Sequence, residues 1–230
     1  MKFCQKRMAV GLWLAGISFA APIFAQNPSS HADAGSTRPK DAAPSSKTPA
    51  GLDAGEIANG VYRNKTMGFS CKIPPGWVIR TDEMNAPAEE ATKPDSASHA
   101  ASSAGAKVLL AAFSRPPEAR AEDVNSSLLI AAENISSYPG LKESGQYLGP
   151  LTDVARAQGF APDEEPYETA VGTTNLARAD FHKDVGTRVM HQSTLAMLSH
   201  GYAISITVIG GTEDEVEELI DGLNFTNTKK

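Results

Sequence analysis

The sequence predicts a mixed α/β (α+β) domain built mainly from strands, and three observations carry that reading. Residues 202–209 alternate, with Tyr202, Ile204, Ile206 and Val208 on one side and Ala203, Ser205 and Thr207 on the other. That is the period of a half-buried strand. Residues 107–114 are nearly all apolar and stop at Arg115-Pro116-Pro117, which reads as a strand covered on both faces. Two stretches carry helical stripes: Val124, Leu128, Ala131, Ala132 and Ile135 within 121–136, and Val216, Leu219, Ile220 and Leu223 after Thr212.

Ahead of the domain lies a targeting segment. Lys2, Lys6 and Arg7 precede an uncharged apolar run from Met8 to Ala21, which Pro22 breaks before Ala25-Gln26. This is the order of a secretory signal peptide over 1–25, with cleavage expected after Ala25. Met8 to Ala25 is only just long enough to span a bilayer, which takes about 20 apolar residues. No Cys stands at the cleavage site for lipid attachment, because Cys4 lies in the basic region. The exported chain is therefore expected to be periplasmic or secreted, with no remaining transmembrane segment. Its net charge moves from −6 to −9 as three positive charges leave. That charge argues against nucleic acid and anionic lipid as partners.

Residues 26–58 are rich in Ala, Pro, Ser and Gly and read as a disordered linker. The domain proper is expected over 59–228. An insertion of similar composition, without a large aliphatic or aromatic residue, occupies 85–106. Strands are expected at 61–64 and 67–73, then at 77–81 after the Pro75-Gly76 turn. The helix over 121–136 ends at Pro139-Gly140, and a second helical piece is expected at 150–157. Strands at 175–183 and 187–198 join around Asp184-Val185-Gly186. The His200-Gly201 turn then pairs Ser199 with Tyr202, Met197 with Ile204 and Leu195 with Ile206, which puts the apolar side chains on one face. Thr212-Glu213-Asp214-Glu215 is a capping box for the last helix, and Phe225 closes the domain.

Cys71 is the one thiol left after cleavage, so no internal disulfide forms. It shares parity with Phe69 and Ile73, which makes it a core residue. Tyr62 and Trp77 read as core aromatics, with a ligand groove as the alternative. His182, His191 and His200 are evenly spaced, but His200 lies in a turn far from His191, so the three do not converge on a metal. If Val185-Gly186 forms the turn, Asp180 pairs with His191 and Ser193 lies two residues along. Those are the ingredients of acyl transfer. No Gly-rich nucleophile elbow accompanies them, and a cross-strand polar pair is the plainer reading. Gly210-Gly211 is too short for a phosphate loop, and the acids behind it repel anions. Neither H-E-x-x-H nor a Cys pair is present. Asn-x-Ser/Thr triplets at Asn64, Asn125, Asn134 and Asn224 read as chance.

Tyr62-x-Asn64 leading to Gly68-Phe69 and Pro74-x-Gly76-Trp77, an apolar strand with a following amphipathic helix, and the ending Gly201-Tyr202, strand, acid-capped helix and Phe225 together form a pattern. It resembles the PsbP-like group of α/β/α sandwiches. That group includes extrinsic photosystem subunits, a Ran-binding nuclear transport factor and exported bacterial proteins of the DcrB-like type. The resemblance covers about 60–228 without the insertion. It implies a twisted, mostly antiparallel β-sheet flanked by helices on both faces, and a binding or accessory role rather than an enzymatic one. No metal ligand of the plant members matches a position here, and no cofactor is implied. The expected function is an exported non-enzymatic accessory or binding domain whose partner is a protein or a cell-envelope component. The alternatives are a hydrolase using Asp180, His191 and Ser193, and a small-molecule carrier with a pocket between sheet and helix.

Overall fold

The computed structural model describes residues 52–86, 106–119 and 123–226. The chain divides into two units, Met1–Lys47 and Thr48–Lys230, and every described residue lies in the second. The expected signal peptide, most of the linker and nearly all of the insertion lie outside the described residues.

The chain begins with β1 (Glu56–Ala58), β2 (Val61–Asn64) and β3 (Phe69–Lys72). Asn59 and Gly60 join the first two strands at φ of 51° and 69°, the left-handed pair that a tight hairpin demands. The expected linker therefore ends early. Tyr62 Oη donates to Ala54 O at 2.9 Å, and Asn64 Nδ2 donates to Asp53 O at 2.9 Å. These bonds fix a strap whose composition alone gives no reason for order. Then come β4 (Val78–Ile79), α1 (Thr81–Met84), β5 (Lys107–Phe113) and β6 (Ser127–Asn134).

Strand β6 corrects the helix expected over 121–136. It runs between β5 and β11 (Tyr202–Gly210), and seven of its eight residues are buried. A run that is apolar on every side satisfies the helical stripe as easily as a central strand, so periodicity does not separate the two. After a 3₁₀ turn the chain forms α2 (Ser144–Ala157), longer at its start than the expected 150–157. Gly145, Gly149 and Pro150 look like breakers in sequence. The helix nonetheless starts at a capping box between Glu143 and Gln146 and carries Pro150 inside it.

The remainder is β7 (Ala161–Pro162), β8 (Tyr167–Val171), β9 (Thr174–Val185), β10 (Arg188–Ser199), β11, α3 (Glu213–Asp221) and β12 (Leu223–Phe225). The β10–β11 register has the expected Ser199–Tyr202, Met197–Ile204 and Leu195–Ile206 pairs. His200 and Gly201 both take positive φ, as a type I′ turn requires.

Among the described residues all strand pairings are antiparallel. One sheet has the order β1-β2-β3-β12; the other runs β4-β5-β6-β11-β10-β9-β7, with β8 also on β9. Leu176, Leu195, Ile204, Ile206 and Val208 of the large sheet pack with Tyr62, Phe69, Cys71 and Phe225 of the small sheet and with Val216, Leu219 and Ile220 of α3. Ala177, Ala179, Ala196 and Ala203, of opposite parity, leave room for Tyr147, Leu148 and Leu151 of α2. The fold is thus α+β and mostly antiparallel. Its helices are sparse rather than flanking both faces as layers, because the small sheet occupies much of one face. Among the described residues no helix is long and apolar enough to cross a membrane.

Candidate functional site

Two surface features stand out, a polar cleft at Asp180 and an apolar groove at Trp77. The polar cleft is set by the β9–β10 turn. Gly186 takes φ of 65° while Thr187 does not take positive φ. This is the type II′ arrangement, with Gly in the first central position. The loop is therefore Gly186-Thr187, one residue later than expected, and every pair moves by two. Asp180 lies opposite Ser193, and His191 lies opposite His182. The expected Asp180–His191 pair does not form.

Ser193 Oγ donates to Asp180 Oδ1 and accepts from Arg178 Nη2 at 3.0 Å. Arg178 Nε donates to Asp180 Oδ1 at 2.9 Å, and Tyr167 Oη to Asp180 Oδ2 at 2.6 Å. On its outer side Arg178 pairs with both carboxylate oxygens of Glu217 on α3. Its side chain is only 11% exposed. Burial opposes the charge, but Glu217 and Asp180 outweigh it and hold the guanidinium pKa above its ordinary value. Burial and the bond to Asp180 push the Tyr167 phenol up. The cluster lines a cleft of about 360 Å³ together with Asp163, Glu164, His191, Glu213 and Asp214.

In this cleft His191 does not stand between Asp180 and Ser193. Its Nδ1 faces Glu213 at 3.8 Å, and His182 Nδ1 contacts Asp163. The serine is 2% exposed and donates its hydrogen bond directly to a carboxylate already held by arginine. Arg178, Tyr167 and Glu217 were not anticipated. Arg178-x-Asp180 on one strand face was the available signal, since period two places both on the same side. His200 stays at the far turn, bonded to Ser199 Oγ at 2.8 Å. Among the described residues no group of three or more His, Cys, Asp or Glu side chains is placed to ligate a metal.

The groove is larger, about 990 Å³. It is lined by Ile57, Pro74, Pro75, Trp77, Ile79 and Leu219 of α3, with Lys72, Glu215, Glu218 and Asp221 among the polar groups. Ile57 and Ile79 are 46% and 39% exposed. Trp77 is half-buried and packs against the edge of the core. Tyr62, by contrast, is core, and burial pushes its phenol up to about 12. Cys71 is 1% exposed and burial alone pushes its thiol up to about 12, so it is a packing residue rather than a nucleophile. At Gly210-Gly211 the Gly211 amide donates to Glu215 Oε2 at 2.8 Å, and the Glu215 amide donates to Thr212 Oγ1 at 3.1 Å. These helix-end amides are satisfied by the chain's own acceptors.

Fold and site together define an antiparallel α+β domain with an apolar groove and a separate charged cleft. No family model matches the chain, and no curated protein matches its sequence. Solved structures show distant likeness. LpqN of Mycobacterium tuberculosis, involved in cell envelope biogenesis, is 11% identical over 69% of this chain and 83% of its own, at a TM-score of 0.35. A protein of unknown function, PA94 from Pseudomonas aeruginosa, is 13% identical over 44% and 68%, at 0.31. A Bacteroides thetaiotaomicron protein is 13% identical over 71% of this chain and 47% of its own, at 0.35. Likeness at this level names no family.

Proposed function

We propose that this chain is an exported, non-enzymatic binding module of the PsbP-like and DcrB-like kind, acting in the bacterial periplasm or envelope. The observation that carries the reading is the groove of about 990 Å³ with Trp77, Ile57, Ile79, Pro74 and Leu219 on its walls. Exposed isoleucines beside a half-buried tryptophan are costly to leave in water and favour an apolar occupant. Glu215, Glu218 and Asp221 against the single Lys72 favour an occupant with a positive group. A basic, apolar segment of an envelope protein meets both demands. The hydrolase alternative needs His191 between Asp180 and Ser193. In the observed register the serine instead bonds the aspartate directly, which supports the binding reading.

Cleavage after Ala25 removes Trp13 and leaves Trp77 as the only tryptophan. Its emission therefore reports the groove. The test titrates the exported chain with short apolar peptides carrying one Lys or one Glu. The expected result is a saturable Trp77 emission shift for the Lys peptides, weaker for the Glu peptides and lost in Ile57→Asp. No emission change with any peptide, or turnover of ester or amide substrates that Ser193→Ala abolishes, overturns the reading.

A further inference from the structure

We propose that His182 and His191 form a two-histidine site for a divalent transition metal such as Zn²⁺ or Cu²⁺, beside the charged cleft and independent of the groove. His182 and His191 are direct cross-strand partners on β9 and β10. Their parity, shared with Asp180 and Ser193, puts both on the same face. A two-residue loop makes Val185 and Arg188 the hydrogen-bonded pair that flanks the turn. Alternating inward, His182 and His191 fall on a non-hydrogen-bonded pair, the type in which side chains approach most closely.

Side chains directly opposite in this way have Cβ atoms about 4.5–5.5 Å apart. Two imidazoles on such a pair can reach one metal at the usual Zn–N length of about 2.0–2.1 Å. The nitrogens are also sorted. His182 Nδ1 is engaged by Asp163, and His191 Nδ1 faces Glu213 at 3.8 Å. Glu213 lies near the His191 ring without bonding it, while His182 directs its Nδ1 to a carboxylate and keeps Nε2 for a ligand. That is the outer-shell arrangement that fixes the tautomer of metal-bound histidine and raises its basicity.

Asp163 is itself held in place, since its amide donates to Asp180 O at 2.9 Å. The surrounding field suits a cation. Asp163, Glu164, Glu213 and Asp214 line the adjoining cleft, and the charge of Arg178 is already matched by Asp180 and Glu217. Two protein ligands leave the other positions to water, so the site is exchangeable rather than structural. His182 and His191 are both partly exposed, so their substitution leaves the core untouched.

The experiment titrates the exported chain with Zn²⁺ against a chromogenic chelator and follows the imidazole resonances by NMR. One equivalent is expected to bind, shifting the signals of His182 and His191 together. His182→Gln and His191→Gln should each weaken binding by roughly tenfold or more, and Asp163→Asn by about tenfold. His200→Gln should change nothing. Binding that survives both histidine substitutions, binding that falls equally in His200→Gln, or no binding at millimolar Zn²⁺ overturns the proposal.

Discussion

At the scale of single residues the tightest dependence is on Arg178. It bridges Asp180 and Glu217, and the serine and tyrosine around it donate into the same aspartate. Removing the cation leaves Asp180 with hydrogen bonds but no counter-charge in a largely covered site. Breaking a buried pair from one side is far costlier than replacing both members with apolar groups. Arg178→Met is expected to lower stability by about 2–4 kcal/mol, while Arg178→Met combined with Asp180→Leu stays within about 1 kcal/mol of wild type. Urea denaturation of the three proteins decides it, and equal losses in single and double variants would contradict the assignment. Little of this cluster was legible beforehand. Alternation puts Asp180 and Ser193 on one face whichever residues form the turn, because moving a two-residue loop by one shifts pairs by two and keeps parity. It does not say who faces whom. The turn type did hold that information, since Gly belongs in the first central position of a type II′ turn.

Among the elements, β5 shows how an apolar edge is finished. Strand β4 pairs with only Ala112 and Phe113. Further along, Asn85 takes over, accepting from the Val108 amide at 3.0 Å and donating to the Val108 carbonyl at 2.9 Å. One side-chain amide thus imitates the peptide group of a missing strand. Thr81 Oγ1 accepts from the Ala111 amide at 3.0 Å in the same spirit. Asn85→Ala should cost about 1–3 kcal/mol, since it leaves two partly buried backbone groups unpaired, and should increase self-association through the bared edge. Thermal melts with light scattering would check both, and a fully wild-type profile would show that the edge needs no cover. Composition had assigned Asn85 to the insertion. A lone polar residue ahead of an Ala- and Ser-rich stretch carries no sign of a partner in sequence. The opposite error occurred at β6, where Leu128, Ala131 and Ala132 satisfied a helical stripe although every neighbouring position is buried too.

For the molecule as a whole, the small sheet against the large one creates a core that holds weak acids in their neutral form. Cys71 and Tyr62 are pushed up to about 12 from ordinary values of 9.0 and 10.0 by burial. The unfolded chain releases these protons at the ordinary values and the folded chain retains them. Their contribution is therefore complete below about pH 9 and is lost as pH rises toward about 12. Urea midpoints should be flat near neutrality and fall between about pH 9 and about pH 12, less steeply in Cys71→Ala. A midpoint unchanged across that interval would contradict the burial of both groups. The C-terminal half of this architecture was plain in advance, because the His200-Gly201 hairpin and the Thr212 cap are local signals. The second sheet was not, because β1 and β12 are only three residues long and the β3–β12 pairing joins positions far apart in the chain.

The strap at Asp53–Gly55 has a mechanical consequence. A Cβ on Gly55 would sit 2.6 Å from the Tyr62 ring, so the strap crosses the aromatic at a closeness that glycine alone permits. Any load applied through the N-terminal segment reaches the domain at this point. It meets the Tyr62 and Asn64 hydrogen bonds to Ala54 and Asp53 before it reaches β1. Past them, β1 is an edge strand paired only with β2, and antiparallel neighbours pulled from one end open like a zipper, bond by bond. Tension along the N-terminal segment would thus be borne first by the Tyr62, Asn64 and Thr66 bonds to this strap. Replacing Gly55 with alanine should loosen it, so that the N-terminal hairpin peels away at lower force while the large sheet stays intact.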